Sequence, residues 1–174
     1  MSKNKTILGI DPSSKSGFAL VKDGEIVHQG TYKVTDKEVD WHIRGRLAAN
    51  FFEDLIDRHE VDLVAIEGYA MNAKFNIIQM VTLGCLIREM LIAKKLHWFE
   101  IPPTKVKQLT THKGKASKAD MIAHVERLYN VKVKNNDIAD AIAIAMIAHK
   151  AYNLETLSME VGFDFPPERF VLPK

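Results

Sequence analysis

The sequence predicts a single α/β domain in which helices cover both faces of a mixed β-sheet. Short apolar runs alternate with longer stretches of helical spacing, and the chain has 174 residues, enough to bury a core. Apolar residues make up 47% and charged residues 26%, which excludes disordered and collagen-like classes. No uncharged apolar run reaches the ~18 residues of a membrane span, and the first apolar run is too short for a secretory signal. We therefore expect a cytoplasmic protein.

Three strands are predicted at the N-terminus. Residues 6–11 form a short apolar run that ends in an Asp-Pro pair, the pattern of a buried strand followed by a turn. Residues 17–21 and 25–34 flank an Asp-Gly pair, which is a strong hairpin signal between two strand-like runs. We therefore expect these three strands to be antiparallel neighbours.

Two helices and two further strands are predicted in the middle of the chain. Apolar residues recur at helical spacing over 38–60, and residues 61–67 form another apolar run that ends in an acid. Residues 72–96 have the composition of a long apolar helix, and residues 97–101 resemble a short strand that ends at two prolines.

The C-terminal part begins with a predicted loop at 113–115. Ser117 and Asp120 then match a capping box, so we expect a helix to begin there, and residues 135–153 are predicted to form the last helix. The stretch 154–174 contains three of the six prolines, and we expect an irregular tail. The predicted organisation is one domain over residues 1–153, followed by that tail.

The charge and the single cysteine limit the possible functions only a little. Net charge is +2, but residues 105–118 carry five lysines and no acid, which indicates a polyanion partner; a solvated loop is the alternative for such a run. Cys85 lies in an apolar run, so we expect a small buried residue. One cysteine cannot form an internal disulfide, which fits a reducing compartment.

Four carboxylates are the candidate functional residues. Asp11 and Glu67 each end an apolar strand, and ligands of open α/β sheets collect at strand ends. Asp137 and Asp140 are three residues apart, so they share one face at the start of a helix. The alternatives are a turn residue, a strand emerging into water, and an N-cap formed by Asn136 or Asp137. Four acids around two divalent ions ~3.5–4 Å apart is an arrangement that cleaves phosphodiesters.

These residues lie in segments that match a known family. ILGIDPSS, VAIEGYAM and NNDIADAIAIA, in this order, resemble the motifs of the RuvC Holliday-junction resolvases, members of the RNase H-like superfamily. TKVKQLTTHKGKASKADM is similar to the basic segment that precedes the penultimate helix of that family. The resemblance covers residues 5 to 150. It implies an RNase H-like fold with three antiparallel N-terminal strands followed by parallel strands.

The resemblance also implies an activity and its residues. Lys107 and Lys118 are expected to act near the cut phosphate of a four-way DNA junction. A homodimer would nick opposing strands and leave 5′-phosphate and 3′-hydroxyl ends. Four acids are expected to be catalytic and to bind two Mg²⁺ ions, for which Mn²⁺ can substitute: Asp11, Glu67, Asp137 and Asp140. Five further residues are expected to contact DNA: Tyr69, Phe75, Lys105, Lys113 and Lys115.

The sequence departs from the family pattern at three places. Ser13 stands where the family has glycine, and Ala70 stands where many members have an aromatic that stacks on bases. We expect Tyr69 or Phe75 to supply that ring. The tail has no clear counterpart, so a divergent or phage-encoded member acting in a bacterial or phage-infected cytoplasm is indicated.

Three alternative functions use the same pattern. An RNase H-like ribonuclease or a flap endonuclease would use the same four acids. A non-catalytic junction-binding protein would share the fold, since fold does not fix activity. An actin-like or sugar-kinase ATP-binding domain also opens with a similar strand, but it needs two such domains, for which 174 residues are too few.

Overall fold

The computed structural model describes residues 5–36, 39–69 and 77–153. These residues form five strands and five helices around one sheet. In chain order the elements are β1 (Thr6–Asp11), β2 (Ser16–Lys22), β3 (Glu25–Tyr32), α1 (Trp41–Arg58), β4 (Leu63–Glu67), α2 (Ile77–Ala93), β5 (Trp98–Ile101), α3 (Pro103–Thr111), α4 (Lys118–Tyr129) and α5 (Asn136–Asn153). No helix among the described residues is both long and apolar enough to cross a membrane.

The sheet is mixed, with the strand order β3-β2-β1-β4-β5. β1 pairs antiparallel with β2, and β2 pairs antiparallel with β3. β4 lies parallel to β1 on one side and to β5 on the other. At the β2–β3 hairpin, Asp23 and Gly24 have φ values of 55° and 83°, the left-handed conformation that tight hairpin turns require. The predicted fold class and the antiparallel N-terminal strands are confirmed.

Helices cover both faces of the sheet, so its central strands are buried on both sides. Side chains of β1 alternate between two cores, because successive residues of a strand point to opposite faces. Leu8 lies in the core formed with α1 and α2, where Phe52 and Ile87 are fully buried. Ile7 lies in the core formed with α4 and α5, together with Ile142. Burial on both faces explains why these strands read as continuous apolar runs.

Helix α5 packs closely against the sheet because two glycines of the strands face the backbone of the helix. A Cβ placed on Gly9 would be 2.6 Å from the backbone nitrogen of Ala145, and one on Gly17 would overlap the backbone carbonyl of Asp137. Only glycine, which has no Cβ, fits at these two positions. The first turn of α5 is therefore held directly over the ends of β1 and β2.

Two features of the fold differ from the sequence-based predictions. Helix α3 was not predicted, because Pro102 and Pro103 indicated the end of β5; Pro103 also begins α3, since its fixed φ suits a first helical turn. Cys85 is exposed, so the prediction of a buried cysteine is wrong. It lies on the outer face of α2, a helix that is apolar around most of its circumference.

Several element boundaries are also refined. The predicted helix over 72–96 is α2, which spans Ile77–Ala93, and residues 72–76 lie outside the described residues. Ser117 and Asp120 form the predicted capping box, with hydrogen bonds in both directions. The tail at 154–174 lies outside the described residues, so its predicted irregularity stays a prediction, as does the domain boundary at 153.

Candidate active site

The two acids at strand ends lie on neighbouring parallel strands. Asp11 is the last residue of β1 and Glu67 the last residue of β4. The two strands are paired in parallel, with Ile10 opposite Ile66, so the residue that follows each of these lies at the same edge of the sheet. Both acids therefore lie at one edge because of the strand register.

The two acids of α5 lie in its first turns, directly above that edge. Asn135 caps the helix: its side-chain oxygen accepts a hydrogen bond of 3.1 Å from the backbone N–H of Ile138. The expected alternative, capping by Asn136 or Asp137, is therefore wrong. Asp137 and Asp140 are not needed to cap the helix, and both remain available for other partners.

The four carboxylates are close enough to affect one another's pKa values. Asp11 is only 8% exposed, and burial raises its pKa well above the usual value, with further increases from Glu67, Asp140 and Asp137. Burial and the charge of Asp140 raise the pKa of Glu67 to about 8. Burial also raises the pKa of Asp140 to about 6, although a hydrogen bond from Asn136 opposes this. Buried like charges of this kind are unfavourable unless a cation or protons neutralise them.

Two of the acids have protein partners. The Asn136 side-chain amide donates a 2.6 Å hydrogen bond to Asp140, while its own buried oxygen has no hydrogen-bond partner among the described residues. The Lys15 ammonium lies 3.9 Å from an Asp137 oxygen. Neither partner was predicted: Lys15 was not singled out, and Asn136 was considered only as a helix cap. The only sequence signal for Lys15 was its place in the short loop that follows Asp11.

The donor set fits a hard divalent cation. Carboxylate oxygens are the ligands that Mg²⁺ and Mn²⁺ prefer, and these carboxylates repel one another in a buried setting. Within 5–36, 39–69 and 77–153, however, no three acidic, histidine or cysteine side chains are arranged to hold one ion as they stand. To bind an ion, Asp137 would give up its contact with Lys15, and Asp140 would give up its hydrogen bond from Asn136. Asn136 Oδ1 is a further buried oxygen at the same place.

Two lysines lie close enough to the acids to affect them. Lys107, on α3, lowers the pKa of both Glu67 and Asp140. Lys118, the first residue of α4, acts in the same direction on Asp11 and Asp140. The unpredicted helix α3 is therefore the element that carries Lys107 to the site. Lys113 and Lys115 are exposed in the loop between α3 and α4, and Lys105 is half-buried on α3.

Of the two aromatic residues expected to contact DNA, Tyr69 lies among the described residues and Phe75 does not. The Tyr69 hydroxyl lies 3.3 Å from Cys85 Sγ and accepts a 3.1 Å hydrogen bond from Arg88, whose guanidinium lies 4.4 Å from the centre of the Tyr69 ring. Phe75 lies outside the described residues. Base stacking by either residue stays a prediction.

Comparison with known proteins agrees with this geometry. The sequence model of the family described as "Crossover junction endodeoxyribonuclease RuvC" matches residues 7–149. A protein of that name from Aliarcobacter butzleri is 34% identical over 149 residues, which cover 80% of this chain and 95% of that protein. The Helicobacter pylori (strain G27) protein of the same name is 32% identical, with coverages of 80% and 93%.

Solved structures show the same fold at lower identity. Thermus thermophilus RuvC in complex with Holliday junction substrate has a TM-score of 0.74 and 19% identity, covering 88% of this chain and 97% of that one. The yeast mitochondrial Holliday junction resolvase has a TM-score of 0.63 and 14% identity, covering 89% and 82%. The extent of the family match and the identity to its bacterial members lead to one conclusion: this chain belongs to the RuvC family.

Proposed function

We propose that this protein is a Mg²⁺-dependent endonuclease that resolves four-way DNA junctions by paired nicks. The observation that carries the proposal is the group of four interacting carboxylates at the common end of β1 and β4, in a chain of the RuvC family. Relatives of this chain are named crossover junction endodeoxyribonucleases, and one structural neighbour was solved with a Holliday junction. We assign the protein to the cytoplasm of a bacterial or phage-infected cell.

The carboxylates would hold the metal. Asp11 is the most buried of the four acids and interacts with the other three, so it would contribute to any ion held there. A Mg²⁺ ion held there would supply a water of lowered pKa as the nucleophile and would stabilise the departing oxygen. The expected cleavage breaks the bond between phosphorus and the 3′ oxygen, so the products carry 5′-phosphate and 3′-hydroxyl ends. Mn²⁺ has the same ligand preference and can substitute.

The lysines would bind and stabilise the DNA. Lys107 and Lys118 lie close enough to the acids to offset the negative charge of the scissile phosphate. Three other lysines extend the positive surface away from the acids and are assigned to the flanking DNA backbone: Lys105, Lys113 and Lys115. Contacts of this type make binding weaker at high salt.

A homodimer is part of the proposal. Paired nicks need two active sites, and helix α2 offers a surface through which two copies can associate. Ile77 and Ile78 are 43% and 79% exposed, and Cys85 and Ile92 are also exposed on this helix. Ile43 of the neighbouring helix α1 is 54% exposed. Apolar residues grouped in this way on two packed helices are typical of an interface.

Cleavage of defined substrates tests the proposal. The protein should be incubated with synthetic four-way junctions, RNA–DNA hybrids and linear duplex, with Mg²⁺ or with a chelator, and the cuts mapped on denaturing gels. We expect symmetric Mg²⁺-dependent nicks in the junction and little cleavage of the duplex. Cleavage of the hybrid alone would identify a ribonuclease, and junction binding without nicking would identify a non-catalytic protein; either result contradicts the proposal.

A further inference from the structure

Arg88 of α2 binds several groups at the end of strand β4. Its side chain is only 11% exposed. The Nε atom lies 2.5 Å from a Glu100 carboxylate oxygen, and Nη1 donates to the Tyr69 hydroxyl at 3.1 Å and to the Gly84 carbonyl at 2.9 Å. Nη2 donates a long hydrogen bond of 3.5 Å to the backbone carbonyl of Glu67. One guanidinium therefore joins α2, β5 and the residue assigned as a metal ligand.

Strand pairing with β5 holds this segment as far as Gly68, and Arg88 holds the residue that follows. β4 ends at Glu67, and the Gly68 N–H still donates 2.9 Å to the Ile101 carbonyl of β5. One residue later, Tyr69 is held through its side chain, with the ring beneath the guanidinium and the hydroxyl between Arg88 and Cys85. Arg88 therefore adds contacts on both sides of Gly68 to the strand pairing that holds the backbone of Glu67.

Gly84 of helix α2 leaves space for the contact between Arg88 and Tyr69. A Cβ at Gly84 would lie 2.8 Å from Arg88 Nη1 and 2.8 Å from a ring carbon of Tyr69, closer than real contacts permit. A nearby pair provides a contrast: Arg46 and Glu89 form an ion pair of 3.3 Å whose side chains are 54% and 62% exposed. Exposed pairs of that kind contribute little, whereas an enclosed guanidinium with several acceptors has a fixed geometry.

We propose that Arg88 is a positioning residue for Glu67, acting through the Glu67 carbonyl and Tyr69 to fix the direction of the carboxylate. When a residue that hydrogen-bonds to a metal ligand is replaced, metal affinity or activity commonly falls by about 10–100-fold. On this assignment Tyr69 belongs to the support of the site and its hydroxyl is the functional group, whereas base stacking would need only its ring. The inference rests on the proposed metal-dependent nuclease function.

The test compares Arg88→Met with the control Arg58→Met, at an exposed ion pair with Asp54 at the end of α1. Mn²⁺ affinity is measured by calorimetry without DNA, junction affinity in the presence of a chelator, and kcat and KM in Mg²⁺. Arg88→Met is expected to weaken Mn²⁺ binding and lower kcat by about tenfold or more, with junction affinity changed by less than about twofold. Arg58→Met should leave all of these close to wild type. Equal behaviour of the two variants overturns the inference.

Tyr69→Phe provides a second and milder variant, because it retains the ring and removes only the hydroxyl. We expect weaker Mn²⁺ binding and lower kcat with unchanged junction affinity, in a protein whose thermal stability remains close to wild type. Unchanged Mn²⁺ affinity and kcat would overturn the inference and favour a stacking role. A wild-type protein that binds Mn²⁺ but cuts no junction would contradict the proposed function alone, and Mn²⁺ affinity would still decide the role of Arg88.

Discussion

The two acids at strand ends and the two acids of helix α5 are held in different ways. Asp11 and Glu67 are fixed by strand pairing, and burial is the largest cause of the raised pKa of each. Asp137 and Asp140 extend from one helical turn and interact with Lys15 and Asn136. The sheet side of the site is therefore preorganised by the backbone, while the helix side can exchange partners when a cation binds.

The largest expected effect is that of Asp11→Asn. Asp11 interacts with all three other acids, so its loss should affect every ion at the site. We expect cleavage of a four-way junction to fall by several orders of magnitude, with junction binding retained or tighter because less negative charge faces the phosphate. Gel-based nicking and gel-shift assays measure the two effects. A variant that cuts at a near-normal rate would contradict the catalytic assignment.

The second prediction compares the two helix acids directly. Asp140→Asn should lower cleavage more than Asp137→Asn, because Asp140 interacts with both Asp11 and Glu67, whereas Asp137 is paired with Lys15. We expect the two losses to differ by about tenfold. Single-turnover nicking rates at saturating Mg²⁺ measure them. A larger loss for Asp137→Asn would show that the two acids have the opposite order of importance.

The third prediction concerns the stability of the metal-free protein as a function of pH. The relevant range runs from 4.5, the usual pKa of Glu67, to about 8, its raised pKa in the folded protein. Because the pKa is raised on folding, the native state binds more protons than the unfolded state in this window, so stability falls as pH rises. Thermal unfolding without metal should show this decline, and added Mg²⁺ should reverse it more near pH 8 than near pH 5.

Glu67→Gln is the variant that checks this pH effect. It should reduce the decline because one of the buried acids with a raised pKa is removed, whereas Glu25→Gln, at an exposed position on β3, should leave the decline unchanged. Equal slopes in the two variants would mean that Glu67 does not titrate in this window.

The strand-end acids were easier to predict from sequence than the helix acids. Asp11 and Glu67 each end a buried run, and parallel pairing brings such ends together, so the periodicity that predicts the strands also places these residues. At the start of α5, three polar residues precede Ile138 and any of them can cap a helix. Which one does so depends on how α5 packs against Gly17, and the sequence does not show that contact.

Other features depended on tertiary contacts. Helix α2 is apolar on most sides, so its periodicity could not show that Cys85 faces outward. Pro102 and Pro103 follow strand β5, and proline can both end a strand and begin a helix, so the sequence did not reveal α3. The contacts of Arg88 join three elements, β4, α2 and β5, that no local pattern relates.

The smallest expected effect is that of Lys15→Met on the helix side of the site. Lys15 is 43% exposed and lies 3.9 Å from Asp137, so the pair is weak and its removal should cost little stability. Because the ammonium competes with a cation for the same carboxylate, its loss should lower the half-saturating Mg²⁺ concentration by less than about fivefold. Lys22→Met, exposed at the far end of β2, is the matched control. If Lys15→Met instead raises the Mg²⁺ requirement, Lys15 assists metal binding, and the helix acids are less free to exchange partners than their contacts indicate.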